Sequence, residues 1–302
     1  MVIKPRDMKK RYFLNSILTL LLICHTAFLP AETSISTLDR IASHRVINIG
    51  YRDAAPYSYQ TSDGHVVGYV VDLCKDVTEV LKKRLHLKDL AVNYIIVPRN
   101  MRTTMLNHRI IDMDCSLNTD TVKRENLVLF SHHYISVNTR FGTHAGNSIH
   151  SYADLAGRTI SVAKGSTDLI DLNSLNRVHH LNILLLTPPS MKSSFAALSS
   201  HKSFATAMNE ISLRQLIENS ENPEGYQISH LVSGAPQDLG IMLRHDDLEL
   251  KKIVDATLVA RFKRRDFKNF YEQWFNSSLP DKNINLHFPL TAEMYHYLTK
   301  KA

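Results

Sequence analysis

The chain has 302 residues, of which 44% are hydrophobic and 22% are charged, and its formal net charge at pH 7 is +7. This balance excludes a disordered or fibrous protein, and the length suits one large or two medium globular domains. The 16 histidines and three cysteines lack the spacing of metal ligands, so neither a metal site nor a cofactor is predicted.

The N-terminal residues differ in character from the rest of the chain. An apolar stretch over residues 13–29 follows five basic residues, and the small residue Ala31 comes next after Pro30. This order is typical of a secretory signal peptide, and the apolar core is too short to span a bilayer comfortably. We therefore predict a signal peptide over residues 1–31 and an exported protein. The alternative is an uncleaved N-terminal anchor.

The predicted leader accounts for part of the positive charge. Without it, 31 basic and 28 acidic residues remain, which is a net charge of +3. A basic run at residues 261–265 stands out in the remaining chain, and a charge cluster of this size usually forms a solvated helix face or loop. No recognised nucleic-acid-binding motif accompanies it, so no nucleic-acid partner is expected.

Cys74 and Cys115 are the two cysteines beyond the predicted leader. Their neighbours are apolar or strand-forming residues, which slightly favours two buried free thiols over a disulfide. A chain of this size does not need a disulfide. Because the sequence does not give the distance between the two residues, both alternatives stay open.

Strand-like and helix-like segments alternate along the rest of the chain. In the first half, Asp72 is suited to cap a helix, and strands are predicted at residues 46–50, 92–97 and 110–115, with a short helix at 103–108. The alternation resumes with predicted elements at residues 152–155, 159–163, 166 onward, 181–186, 191–198, 204–208, 211–220 and 226–232, and a long helical tail from 246. This order predicts an α/β protein with two lobes, each a mostly parallel sheet flanked by helices.

Several short motifs, each weak alone, together carry a resemblance to a known family. They are Ile49-Gly50-Tyr51-Arg52, Pro56-Tyr57-Ser58-Tyr59, Gly68-Tyr69-Val70-Val71-Asp72, Asn118-Thr119 with Arg124, Ala153-Asp154-Leu155, Gly165-Ser166-Thr167, and Leu243-Arg244 with Asp246-Asp247. In this order and spacing the chain, from Leu38 onward, resembles the periplasmic solute-binding proteins of polar amino-acid ABC transporters (family 3). Within that family it is most similar to the glutamate/aspartate-binding branch.

The resemblance implies a type II periplasmic binding protein fold, in which two lobes close on a ligand about a hinge of two crossing strands. Lobe 1 would comprise residues 32–138 plus 236–302, and lobe 2 residues 139–235. The crossings are expected near residues 136–141 and 233–240. The implied protein is a periplasmic monomer, not an enzyme, that captures a small carboxylate, such as glutamate or aspartate, for an ABC-transporter permease.

The resemblance also implies where the α-carboxylate of the ligand binds. Arg124 matches the arginine that holds this group, for which a guanidinium offers two parallel hydrogen bonds. Thr119 lies in the same motif. Ser166 and Thr167 open a helix whose free backbone N–H groups attract an anion, although Ser166 is equally suited to be a plain helix cap.

A second set of positions matches those that face the side-chain carboxylate in the glutamate/aspartate branch. They are Arg52 and Arg102, and Arg99 adds a third guanidinium nearby in the sequence. Because burying an unpaired charge is unfavourable, these groups are expected to await an anion. The alternative is that Arg99 and Arg102 only flank the start of a helix.

Four positions depart from the pattern of the branch: Leu117, Ala163, Met191 and Asn209. Asn209 stands where the branch has the aspartate that pairs with the ligand's ammonium group, and the adjacent Glu210 is a candidate to replace that charge. Two versions of the ligand therefore stay open. One is an acidic amino acid read through Glu210, and the other is a dicarboxylate without the amine, read by the arginines alone.

Two other kinds of protein use the same fold. One is a periplasmic enzyme that resembles cyclohexadienyl dehydratase. Such an enzyme needs a carboxylic acid in the cleft to protonate a leaving hydroxyl group, and Glu210 is a candidate for that acid. The other is a sensing or cell-wall module, which continues into a membrane span or a further domain. Because this chain stops at Ala302, a free-standing binding protein is favoured.

Overall fold

Two five-stranded sheets organise the chain in a computed structural model that describes residues 35–300. The predicted signal peptide over residues 1–31 lies outside the described residues. From Thr37 onward the chain forms one compact unit. Within residues 35–300, no helix combines the length and hydrophobicity needed to cross a membrane.

The strands are β1 (Val46–Tyr51), β2 (Tyr59–Gln60), β3 (Val66–Val67), β4 (Ala91–Ile96), β5 (Met113–Asp114), β6 (Val128–Phe130), β7 (Ile135–Val137), β8 (Thr139–His144), β9 (Thr159–Val162), β10 (Leu184–Leu186), β11 (Ala205–Asn209), β12 (Tyr226–Val232), β13 (Gln237–Leu239) and β14 (Met242–Arg244). The helices are α1 (Thr37–His44), α2 (Tyr69–Arg84), α3 (Arg102–Asn107), α4 (Val122–Glu125), α5 (Thr167–Val178), α6 (Met191–Ser199), α7 (Glu210–Glu218), α8 (Leu248–Phe262), α9 (Phe267–Phe275) and α10 (Ala292–Lys300). Single 3₁₀ turns occur at Tyr152–Leu155 and Pro223–Gly225.

The two sheets share one plan. The first has the strand order β4-β1-β5-β14-β6, and the second has the order β10-β9-β11-β8-β12. In each, the first three strands are parallel and the fourth pairs antiparallel with both of its neighbours. Four of the five strands therefore run in one direction, as predicted for mostly parallel sheets. The reversed strands are β14 and β8. Each is the strand that the chain forms directly after it has crossed from the other sheet.

The chain passes between the sheets through a short two-stranded ribbon. Strand β7 pairs antiparallel with β13, with Ile135 opposite Leu239 and Val137 opposite Gln237. These strands fall at the places where the two crossings are predicted. We refer to the first sheet with its helices as lobe 1 and to the second as lobe 2. The exact lobe boundaries at residues 138 and 235 stay predictions.

Helix α2 begins earlier than its sequence pattern suggests. It starts at Tyr69, so Asp72 lies in its first turn and is not its cap. The carboxylate of Asp72 instead accepts a hydrogen bond from Nε1 of Trp274 (3.1 Å) and thereby ties α2 to α9. Gly68 precedes the helix with φ 143°, and a Cβ there would lie 2.3 Å from the carbonyl oxygen of Tyr57. Only glycine fits this close approach.

The helical tail belongs to the core of lobe 1. It forms three helices, α8, α9 and α10, and not the single long helix that is predicted. The chain turns between α8 and α9, where Arg264 pairs with Asp266. Buried aromatic rings of α9 pack on Tyr69 of α2, with ring centroids 4.9 Å apart for Phe275. Burial of each such ring stabilises the fold by about 1.5 to 3 kcal/mol. The C-terminal region thus completes the lobe that the N-terminal region starts.

The two cysteines form a disulfide, which corrects the slight preference for free thiols. Cys74 on α2 is bonded to Cys115 directly after β5, and their Cα atoms are 6.4 Å apart. Both residues are fully buried. The apolar neighbours that suggested inert thiols are present because α2 packs on β5, and this same packing brings the two sulfur atoms together.

We predict that replacing both cysteines, as Cys74→Ala with Cys115→Ala, lowers the free energy of unfolding by about 3 to 4 kcal/mol. The physical reason is that the bond closes a loop of 41 residues and so restricts the unfolded chain. Urea denaturation followed by circular dichroism measures the change. Wild-type protein kept reduced is the matched control and should lose the same amount. An unchanged midpoint in the double variant would contradict the bridge.

Candidate functional site

A narrow cavity is lined by residues of both lobes. Seven of the nine predicted ligand contacts line it, namely Arg99, Arg102, Thr119, Arg124, Ser166, Thr167 and Asn209. The rest of its wall is formed by Leu117, Asp168, Met191 and Gln237. The cavity adjoins a wider part of the cleft, which Arg52 lines. Of the nine predicted contacts, only Glu210 faces neither space.

The guanidinium groups of Arg52 and Arg102 are held by amide and carbonyl oxygens. Arg102 opens α3, and its Nη1 donates to Oδ1 of Asn118 (3.1 Å) while its Nε donates to the carbonyl of Arg99 (2.9 Å). Nη2 of Arg52 donates to the same oxygen of Asn118 (3.3 Å) and to the carbonyl of Leu117. Asn118, which is fully buried, is therefore a shared anchor, although the sequence pattern marks it only as part of a motif.

The short helix α4 places Arg124. Thr121 caps this helix, since its side chain accepts a hydrogen bond from the backbone N–H of Arg124 (3.3 Å). Nη1 of Arg124 then donates to the carbonyl of Thr119 (2.6 Å), and the guanidinium faces the cavity. One neutral oxygen thus fixes the group, and the carboxylates of Asp120, Asp168 and Asp114 act on its charge without forming an ion pair.

Within residues 35–300, no carboxylate lies within ion-pair distance of Arg52, Arg99, Arg102 or Arg124. Burial, reinforced by Arg52 and Arg124, lowers the pKa of the Arg102 guanidinium to about 8. Burial and the charge of Arg52 lower the pKa of Arg99 to about 10 and also lower the pKa of Arg124. Nη1 of Arg52 is buried without a hydrogen-bond partner. Four like charges are thus held together in a poorly solvated site, where an anion would be stabilised.

Lobe 2 contributes the N-terminus of α5. Ser166 caps the helix, because its hydroxyl accepts from the N–H of Leu169 (3.2 Å) and donates to the carbonyl of Ala163 (2.8 Å). Both hydrogen bonds of this hydroxyl stabilise the start of the helix, as the interpretation of Ser166 as a plain helix cap predicts. Oγ1 of Thr167 lies 3.4 Å from Oγ1 of Thr119 in lobe 1. The two lobes meet directly at this point.

Asn209 caps α7 and also contacts lobe 1. Its Oδ1 accepts from the N–H of Ser212 (3.1 Å) and from the hydroxyl of Tyr57 (3.3 Å). Its Nδ2 is buried without a partner. Because both acceptor contacts use the oxygen, the side chain presents a donor to its surroundings, where an aspartate would present an acceptor.

Glu210 does not take over that missing charge, which corrects the expectation for this residue. Its carboxylate accepts hydrogen bonds from Arg140 and from Nη2 of Arg214 (2.9 Å). These two ion pairs hold the side chain away from the cavity. The same pairing speaks against Glu210 as the acid of a dehydratase.

Asp168 is a carboxylate at the cavity that the sequence pattern does not predict. It lies in the first turn of α5, is 2% exposed and lines the cavity. Its Oδ1 accepts from the hydroxyl of Thr139 (2.6 Å) and from Nε2 of Gln237 (3.1 Å), two residues of the crossing strands. Burial raises its pKa, although these hydrogen bonds oppose the shift. The available signal was its position directly after Gly165-Ser166-Thr167.

Three of the departures from the branch pattern are apolar residues. Leu117 and Met191 line the cavity. Ala163 is buried, and its carbonyl serves the cap of α5. At these three positions the chain therefore has no hydroxyl or imidazole side chain. Among the described residues, no group of three His, Cys, Asp or Glu side chains is arranged to hold a metal ion.

Comparison of the sequence with known proteins identifies close relatives. Residues 47–277 match the family described as bacterial extracellular solute-binding proteins, family 3. The chain is 32% identical over 268 residues to the glutamate/aspartate import solute-binding protein of Escherichia coli K12, and the match covers 87% of each protein. It is 29% identical over 269 residues to the L-glutamate/L-aspartate-binding protein of Pseudomonas aeruginosa, covering 87% of this chain and 88% of that protein.

Solved structures share the fold at lower identity. The substrate-binding protein of an ABC uptake transporter from Streptococcus pneumoniae, with bound histidine, has a TM-score of 0.70 at 19% identity, covering 82% of this chain and 99% of that one. An ancestral amino acid-binding protein, a precursor of cyclohexadienyl dehydratase, has a TM-score of 0.68 at 20% identity, covering 79% and 99%. These likenesses confirm the predicted two-lobed type II fold.

We predict that Arg99→Gln raises the free energy of unfolding of the ligand-free protein by up to about 1 kcal/mol. The change removes one of four like charges that repel each other, and the gain should shrink at high salt. Thermal denaturation at low and high salt measures it. The control is Lys123→Gln, which removes an exposed charge on α4 and should change little. Destabilisation by Arg99→Gln would argue against the repulsion.

Proposed function

Because the chain belongs to the bacterial extracellular solute-binding proteins, family 3, we propose that it captures an acidic amino acid of the glutamate/aspartate class and delivers it to an ABC importer. The observation that carries this proposal is the set of four guanidinium groups around one cleft, none of them in an ion pair among the described residues. They outnumber the two carboxylates there, Asp53 and Asp168. A ligand with two carboxylates matches that surplus of positive charge. The relatives from Escherichia coli and Pseudomonas aeruginosa are named for glutamate and aspartate.

The arrangement suggests how each carboxylate would bind. Arg124 and the N-terminus of α5 both line the cavity, and together they would hold the α-carboxylate through two guanidinium hydrogen bonds and backbone N–H groups. Arg52 and Arg102, joined through Asn118, would hold the side-chain carboxylate. The unpartnered Nη1 of Arg52 is one donor that such a group could satisfy.

Ligand capture would be linked to closure of the lobes. In the described conformation Thr119 meets Thr167, and Tyr57 donates to Asn209, so the two lobes already touch around the cavity. A ligand that contacts both lobes binds this closed form better than an open one and therefore shifts the equilibrium toward it. Rotation would take place at the ribbon of β7 and β13.

A second candidate ligand is a dicarboxylate without an amino group. It is favoured by one observation: Asn209 offers a free N–H donor and no free oxygen at the position where the branch has an acid. A keto or hydroxyl oxygen would accept from that donor, whereas an ammonium group would not.

The proposal extends to the location and partners of the protein. Residues 1–31 would act as a signal peptide for export to the periplasm. The Cys74–Cys115 disulfide supports export, because disulfides persist mainly in oxidising compartments. The protein would act as a monomer with lobe boundaries near residues 138 and 235, and its macromolecular partner would be an ABC-transporter permease. A binding role without turnover is proposed.

We predict that Arg124→Ala weakens glutamate binding by about 100-fold or more while the fold stays intact. Each charge-assisted hydrogen bond lost contributes about 1.5 to 3 kcal/mol, and two are expected at this group. Isothermal titration calorimetry measures the affinity, and circular dichroism checks the fold. Lys123→Ala, one residue earlier on α4, is the matched control. Normal affinity for glutamate in the Arg124 variant would contradict the proposed role of Arg124.

A ligand panel tests the proposed class. Thermal-shift measurements with glutamate, aspartate, glutamine, succinate, lysine and arginine should show stabilisation by the acidic ligands and none by the basic amino acids. The reason is that a cationic end would face Arg52 and Arg102. Stabilisation by lysine or arginine together with none by glutamate would overturn the assignment.

A further inference from the structure

The cavity contains a carboxylate at a position where the glutamate/aspartate branch pattern did not predict one. We propose that Asp168 receives the ammonium group of the ligand and so makes the site select an amino acid over the same dicarboxylate without its amine. This inference rests on the proposed function, namely capture of a small acidic ligand. It decides between the two versions of the ligand that the sequence leaves open.

The two residues expected to meet the ammonium group cannot do so. Oδ1 of Asn209 is occupied by the N–H of Ser212 and the hydroxyl of Tyr57, so the free atom of this amide is the donor Nδ2. The carboxylate of Glu210 is engaged by two arginines outside the cavity. Among the described residues that line the cavity, Asp168 is the one carboxylate, whereas Asp53 lines only the adjoining wider part of the cleft.

Asp168 is a buried carboxylate that forms no ion pair among the described residues, although Arg99, Arg102 and Arg124 line the same cavity. It is 2% exposed, and its Oδ1 is held by two neutral donors, Thr139 and Gln237. In the part of the chain that the structure describes, no lysine, arginine or histidine lies within ion-pair distance of it. Desolvation raises the pKa of Asp168 more than its hydrogen bonds and the charge of Arg99 lower it, so its charged form is only partly compensated. A ligand ammonium group would add to that compensation.

The position of Asp168 also suits the shape of an α-amino acid, whose ammonium and carboxylate groups share one carbon. Hydrogen bonds connect Asp168 to the proposed carboxylate site through only two residues. Nε2 of Gln237 donates to Asp168, and Oε1 of Gln237 accepts from Thr119 (3.2 Å). The carbonyl of Thr119 in turn holds Arg124 (2.6 Å). The acceptor for the ammonium and the donor for the α-carboxylate are thus fixed within one network.

The test compares glutamate with glutarate, which is glutamate without its amino group. We expect Asp168→Asn to weaken glutamate binding by about 10- to 100-fold in isothermal titration calorimetry. Glutarate binding should be unchanged or tighter, because the variant removes a negative charge. Asparagine keeps the Oδ1 acceptor for Thr139 and Gln237, so the fold is expected to persist. Asp171→Asn is the matched control, since Asp171 also lies on α5 and near Gln237 (3.4 Å) but does not line the cavity.

A rescue variant separates charge from structure. In the Asp168→Asn background, Asn209→Asp restores a carboxylate at the cavity, and an aspartate there can still accept from Ser212 and Tyr57. Glutamate affinity should recover by about 10-fold or more. No effect of Asp168→Asn on glutamate, or an equal loss of glutamate and glutarate, would overturn the inference.

The unaltered protein distinguishes this inference from the proposed function on which it rests. If the wild type binds neither glutamate nor glutarate, the proposed function fails and this inference fails with it. If the wild type binds both ligands equally well, the proposed function stands and the role of Asp168 is refuted. Tighter binding of glutamate than of glutarate supports both.

Discussion

The repulsion among four buried or half-buried guanidinium groups is the constraint on which the rest of this structure depends. The protein holds these groups in place with neutral oxygens, such as the amide of Asn118 and the carbonyls of Leu117 and Thr119. Neutral partners orient a guanidinium without cancelling its charge. An anion that entered the cleft would offset the free energy cost of this assembly, and the proposed ligand would in that way stabilise the fold.

The fold supplies this arrangement by bringing the ends of two sheets together. Lobe 1 provides the arginines from the loops and short helices that follow β1, β4 and β5, and lobe 2 provides the N-termini of α5 and α7. The ribbon of β7 and β13 joins the lobes, and Gln237 in that ribbon contacts both Thr119 and Asp168. Gln237 therefore links the ribbon directly to residues that line the cavity.

Much of the fold and part of the site could be predicted from the sequence. Hydrophobic periodicity located most strands and helices, and the order of short motifs located the arginines and the N-terminus of α5. The sequence did not reveal features that depend on tertiary packing. The contact of α2 with β5 sets the Cys74–Cys115 bridge, and Arg140 and Arg214 draw Glu210 away from the cavity. Asp168 was overlooked because a first-turn aspartate usually only caps or favours a helix.

A crystal structure of the protein grown with L-glutamate tests the central claim most directly. The account predicts one glutamate molecule between the lobes, with a carboxylate on Arg124, the other within hydrogen-bond distance of Arg52 or Arg102, and the nitrogen beside Asp168. Glutamate bound elsewhere, or a cleft whose arginines point away from the bound ligand, would contradict it.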